Sequence, residues 1–267
     1  MCLLVLAWQV HPRYQLVVAA NRDEFYERPT APMAKWPAPD DIIGGRDLRA
    51  GGTWLAMDRK RRFGIVTNFR ELQPPSPGAT SRGNLIPGYL RNTAGPGGYL
   101  RQLETTAAAY SGFNLLLTDE KTLWYGSNRA DRFAQPLSPG IYGLSNELLD
   151  TPWPKLQRVR RRFDALLMQP GEVSKDELFA ILGDPTQAGV DERLPQTGLS
   201  REWEQLLSSP FISTEDYGTR CSTLVMVERT GAVSLTERRF GSKGTAIGET
   251  EFLLGAGEWP SEPGEPG

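Results

Sequence analysis

The chain opens on an almost unbroken apolar run over residues 3–10, and a second run, LVVAA, lies within residues 15–21. The tetrapeptide His11-Pro12-Arg13-Tyr14 separates them. Aliphatic runs bounded by a turn-like segment predict two antiparallel strands joined as a hairpin. Further strands are predicted over 42–46, 54–58 and 63–68, with breaks at Gly44-Gly45 and Gly51-Gly52. A Pro-rich loop, QPPSPG (73–78), follows. Helical spacing then appears over 81–92 and 99–110, interrupted by Gly95-Pro96-Gly97-Gly98. Strands return at 113–118, 122–126 and 141–145. Thr151 followed by Pro152 predicts an N-cap and first helical position, and Leu156, Val159, Phe163, Leu166 and Leu167 form the apolar stripe of that helix. Short helices are predicted over 175–182 and 201–207, then a hairpin of 222–228 and 232–240 turning at Arg229-Thr230-Gly231. The segment from Gly255 onward is rich in Pro, Gly and Glu and is expected to be a disordered tail. Helices come in blocks rather than alternating with strands, which predicts a layered α+β fold with mainly antiparallel sheets. No internal repeat or linker divides residues 1–254, so a single domain is expected there.

Composition narrows the chemistry. With 39% apolar residues in 267, the chain is long enough to bury a substantial core. A formal charge of −2 gives no global basic field, so nucleic acid is not expected as a partner. Two cysteines and one histidine cannot supply a four-ligand Cys/His zinc site or a disulfide framework. Two thiols in a Cys-poor chain read as reduced, which points to the cytoplasm. The opening MCLLVLAWQV carries no basic lead and no small-residue cleavage site, and no later run approaches 18 apolar residues, so stable membrane insertion is not expected. Residue 2 is not glycine, which excludes N-myristoylation.

Most standard sites can be set aside. The single histidine, His11, is expected on a surface turn. Gly241-Ser242-Lys243-Gly244 lacks the strand-to-helix setting of a phosphate cradle. The cluster Arg158, Arg160, Arg161 and Arg162 reads as a solvated helix face. Without an imidazole, the other base that titrates near neutrality is an α-amino group. If Met1 is removed, Cys2 holds thiol and amine on one residue, so nucleophile and base are positioned together. Read in isolation, Cys2 is also an ordinary small core residue. The stretch Asn21-Arg22-Asp23-Glu24 closes the second predicted strand, and hairpin geometry brings it beside Cys2. A solvated strand end and a functional cluster both fit that placement.

ANRDEFYERP (20–29) resembles the signature of the NRDE family, and further blocks resemble that family in order: IGGRDLRAGGTWLAMD (43–58), GIVTNFRE (64–71), SRGNLIPGYL (81–90), FNLLLTD (113–119), GLSNELLDTPWPK (143–155) and TRCSTLVMV (219–227). The family is similar in layout to the choloylglycine hydrolase and penicillin V acylase branch of the N-terminal-nucleophile (Ntn) hydrolases. That resemblance implies a four-layer αββα sandwich. It implies Cys2 as nucleophile, Asp23 as acceptor for the N-terminal ammonium, Asn68 and Asn146 as oxyanion donors, and Arg220 as the cation depressing the thiol pKa. Asn21, Arg22, Glu24, Gly52 and Trp54 are the implied substrate-binding residues. Gly52 and its neighbouring glycines also read as turn residues, Trp54 and Trp153 as core aromatics, and Cys221 as structural.

Two activities remain open on this reading. One is an amidohydrolase with no cofactor, acting on a small amide or acyl compound. The other is a non-catalytic carrier of haem, acyl-CoA or lipid on the same scaffold. In that case haem is a bound ligand rather than a cofactor, although the sequence has no recognisable haem motif.

Overall fold

A computed structural model describes residues 2–71, 80–189 and 192–261. Two all-antiparallel sheets face each other. The first has six strands: β1 (Cys2–Trp8), β2 (Tyr14–Phe25), β10 (Gly140–Leu144), β11 (Tyr217–Glu228), β12 (Val233–Phe240) and β13 (Ala246–Leu254), in the spatial order β10-β1-β2-β11-β12-β13. The second is a seven-stranded meander in sequence order: β3 (Thr30–Lys35), β4 (Ile42–Asp47), β5 (Leu55–Asp58), β6 (Phe63–Asn68), β7 (Phe113–Thr118), β8 (Leu123–Ser127) and β9 (Ala134–Leu137).

The central strands of each sheet are buried on both faces, which explains why β1 reads as a continuous apolar run rather than an alternating one. Leu4, Leu6 and Val18 meet Leu55, Phe63 and Leu116 between the sheets. The alternate residues Leu3, Val5 and Val17 pack outward on α3 (Pro154–Leu167) and α4 (Lys175–Leu182). On the far side, Ala56, Leu115 and Leu117 pack on α1 (Leu85–Arg91) and α2 (Pro96–Glu104). The result is the helix–sheet–sheet–helix order that the resemblance implied, with α5 (Arg201–Leu206) at one end. No helix among the described residues is long and apolar enough to cross a membrane.

Several local expectations are corrected. Strands β3, β9 and β13 were not anticipated. All three are sheet edges, where one flank lacks a partner and the apolar pattern is weak; β3 and β9 also carry Pro32 and Pro136. The 95–98 segment is not a break but the start of α2, with Pro96 in its first turn. Gly97 is required there because a Cβ would stand 2.5 Å from the Trp124 ring. The α3 cap is Trp153 followed by Pro154, one Pro pair later than expected. His11 is buried rather than on the surface, and its Nδ1 accepts from the backbone N–H groups of Arg13 and Tyr14. Part of the expected tail is docked: Arg61 donates to the carbonyls of Gly255 and Glu258, and Trp259 Nε1 donates to Asp41. Residues 262–267 and the 73–78 loop lie outside the described residues.

Candidate active site at the end of the sandwich

Strand β2 continues through the whole Asn21–Glu24 motif, so the motif lies in a ladder rather than at a frayed end. The register pairs Cys2 with Arg22 and Leu3 with Asn21. Alternation along β2 then divides the motif. Arg22 faces the second sheet, with its guanidinium 4.4 Å from the centre of the Trp54 ring. Asn21 faces the helical layer, donating to the carbonyls of Leu182 and Pro210 and accepting from Ser222 Oγ at 2.6 Å.

Cys2, Arg22, Asp23, Glu24, Trp54 and Asn68 all line one cavity of about 300 Å³. Cys2 is held from β10's end. Its backbone N–H donates to Asn146 Oδ1 at 3.4 Å, and its carbonyl accepts from Ser145 Oγ at 3.1 Å. Asn146 is fully buried, and its Nδ2 donates to the Asn68 carbonyl at 3.0 Å. Asn146 therefore positions the cysteine backbone and the main chain of Asn68, a residue that lines the cavity. Asp23 is buried and accepts from Thr219 Oγ1 at 2.8 Å. Burial pushes its carboxyl pKa up, and the nearby Lys155 cation opposes that shift. Burial also pushes the Cys2 thiol up; Asp23 and Glu24 add to this and Arg22 opposes it.

Four implied positions fall elsewhere. Asn146 does not line the cavity, and its Nδ2 is taken by the Asn68 carbonyl instead of being aimed at an oxyanion. Arg220 is the extra residue at a bulge between Thr219 and Cys221. Its guanidinium donates to the carbonyls of Phe25, Tyr26 and Arg28, and it lines a different cavity from Cys2. It braces the chain leaving β2, and Arg22 is the cation that favours the thiolate. Asn21 stitches the sheet to the helical layer instead of reaching the cavity. Gly52 supports the cavity from behind: a Cβ there would stand 2.3 Å from the Gly83 backbone. Gly52→Ala is expected to cost about 2–3 kcal/mol by forcing two backbones apart, measured by denaturant unfolding. A midpoint equal to wild type would show that the 83 loop yields freely. Cys221, read as structural, is buried on β11 and its thiol is pushed well above the ordinary value by burial.

The structure also adds residues that residue type gave no reason to select. Arg28, Asp47, Ser81 and Arg82 line the cavity. Beneath it sits Lys155, 1% exposed, whose Nζ has no hydrogen-bond partner among the described residues. Burial lowers its pKa to about 8, with Asp23 acting in the opposite direction. One sequence signal did mark it: counting back by four from Phe163 and Val159 lands on Lys155, so the helical phase places this lysine on the buried stripe. No group of three or more His, Cys, Asp or Glu among the described residues is arranged to hold a metal ion.

The molecule is thus a four-layer αββα protein with a cysteine at the start of a central strand, opening on a charged cavity. The family described as Transport and Golgi organisation 2 matches residues 1–242, and the chain belongs to that family. The mouse Transport and Golgi organization 2 homolog is 34% identical, over 95% of this chain and 99% of the relative. The bovine homolog is 33% identical, over 89% and 92%, and the Drosophila melanogaster protein 28% identical, over 85% and 88%. Among solved structures, a Caenorhabditis elegans N-acylethanolamine-hydrolyzing acid amidase ortholog matches with TM-score 0.46 and 11% identity, over 84% of this chain and 92% of that one.

Proposed function

We propose that the chain is an N-terminal cysteine amidohydrolase for a small polar amide. The observation that carries this reading is that Cys2 and Asp23 line one cavity while Asn146 holds the Cys2 nitrogen. In the proposed cycle Met1 is removed and the freed α-amine of Cys2 takes the thiol proton. The thiolate attacks the amide carbonyl carbon. The Asn68 side chain donates to the resulting oxyanion, and Asp23 accepts from the α-ammonium. The C–N bond then breaks, and the amine departs with the proton carried by the ammonium. The α-amine next deprotonates a water, which attacks the thioester. The C–S bond breaks, the acid is released and the thiol is restored. Arg22 favours the thiolate against the desolvation that raises its pKa. The carrier reading for haem or an apolar lipid has less support, because six charged side chains line this cavity.

The test is the intact mass of the purified protein together with labelling by an iodoacetamide probe. Loss of Met1 and an adduct on Cys2, with none on buried Cys221, is the expected result. A retained Met1 with an unlabelled Cys2 would overturn the mechanism.

A further inference from the structure

The cavity's charges are not equally paired. Arg28 is neutralised: its guanidinium meets Asp47 Oδ2 at 2.7 Å and lies 3.8 Å from Glu24. Asp23 projects from β2 toward β11, where Thr219 donates to it, and the Lys155 cation is the chief charge that favours its ionised form. Arg22 and Arg82 are treated differently. Arg22 lies over Trp54 and donates to Thr30 Oγ1 at 3.3 Å. Arg82 donates to the Gly112 carbonyl at 2.9 Å. Neither has a carboxylate within ion-pair distance among the described residues, and both line the cavity with Cys2. An aromatic face, a hydroxyl and a carbonyl fix two guanidinium planes without cancelling their charge. A site that recognises a planar anion needs that arrangement.

We propose that Arg22 and Arg82 form a carboxylate-binding subsite beside Cys2, so that the amide the cavity takes is one bearing a carboxylate, as in a small N-acyl amino acid. The proposal rests on Cys2 as the reacting centre but is tested separately from it. A single negative charge suits the site better than a phosphate dianion, because Glu24, Asp47 and Asp23 line the same 300 Å³. A second negative charge on the ligand would meet those carboxylates at short range. The carboxylate also gives the scissile amide a fixed point from which its carbonyl can be aimed at sulfur, the positioning that makes a near-attack geometry frequent.

The experiment uses the full chain with Cys2→Ala, so that binding is read without turnover. N-acetylglycine, its neutral counterpart N-acetylglycinamide and inorganic phosphate are titrated by calorimetry. N-acetylglycine is expected to bind at least tenfold tighter than the amide and tighter than phosphate. Arg82→Gln or Arg22→Gln, added to Cys2→Ala, is expected to remove most of that preference. Added salt, which needs no further substitution, is expected to weaken N-acetylglycine and leave the amide unchanged. Equal affinity for the two acyl compounds, a preference that survives both arginine substitutions, or a salt-insensitive preference would overturn the subsite. Phosphate binding as tightly as N-acetylglycine would overturn the carboxylate assignment. No hydrolysis of N-acetylglycine by the wild-type chain, with this preference intact, would instead count against the hydrolase reading and leave the subsite standing.

Discussion

Cys2→Ala is expected to lower amide hydrolysis by at least about 10³-fold, which corresponds to about 4 kcal/mol of lost transition-state stabilisation. The substitution removes the sulfur and little else. Cys2 is partly buried at the first position of β1, and the bonds that fix it there run through its backbone, to Asn146 Oδ1 and from Ser145 Oγ. Those bonds survive the change, so unfolding midpoints of variant and wild type should agree within about 1 kcal/mol. Catalysis and stability are thereby separated. Amine release from a panel of N-acyl amino acids, compared with circular dichroism melts of the same samples, is the measurement. Activity within tenfold of wild type would remove Cys2 from the chemistry and return it to the role of a small core residue.

How much of this could be seen in the sequence depends on what surrounds each residue. Strands β1, β6 and β7 are sandwiched between two packed layers, so their apolar runs are long and the expected ranges lie close to the observed ones, whereas β2 runs four residues past its expected end at Asn21. The edge strands β3, β9 and β13 have no such signature, because half of each is bounded by solvent. For the site, the hairpin register was sufficient to place Arg22 to Glu24 beside Cys2. The division of that motif between two faces needed the observed extension of β2 to Phe25. Arg220 could not have been placed from the sequence, since a single bulge turns it away from the cavity, and no glycine at Thr219–Cys221 marks that bulge. Arg82 sits in a 3₁₀ turn, Arg82–Asn84, and reaches the cavity through the close approach of Gly83 to Gly52. That contact is long-range and has no periodicity to report it.

Lys155→Met is expected to make the protein more stable at neutral pH, by about 2–3 kcal/mol. The ammonium sits 1% exposed at the second position of α3, where the positive end of the helix dipole adds to the cost of losing its hydration. A fall in pKa from 10.5 to about 8 corresponds to about 3 kcal/mol when the group is charged in both states. Methionine fills similar volume with no charge to desolvate, and loss of the favourable interaction with Asp23 takes back part of the gain. The unfolded chain holds the lysine proton up to about pH 10.5, whereas the folded chain releases it near 8. The penalty is therefore complete below pH 8 and fades as pH rises through 10.5, and the advantage of the variant should close over that window. A buried lysine kept at such a cost is explained by Asp23, whose carboxyl burial pushes toward the neutral form and for which this cation is the largest opposing influence. Without Lys155, Asp23 should protonate at higher pH, and the acid limb of Cys2 alkylation should move upward with it. Denaturant unfolding from pH 6 to 10.5, paired with alkylation rates from pH 5 to 8, measures both effects. A variant no more stable than wild type at pH 7, with an unmoved alkylation profile, would mean that this lysine finds its compensation elsewhere and is not the cation that keeps Asp23 ionised.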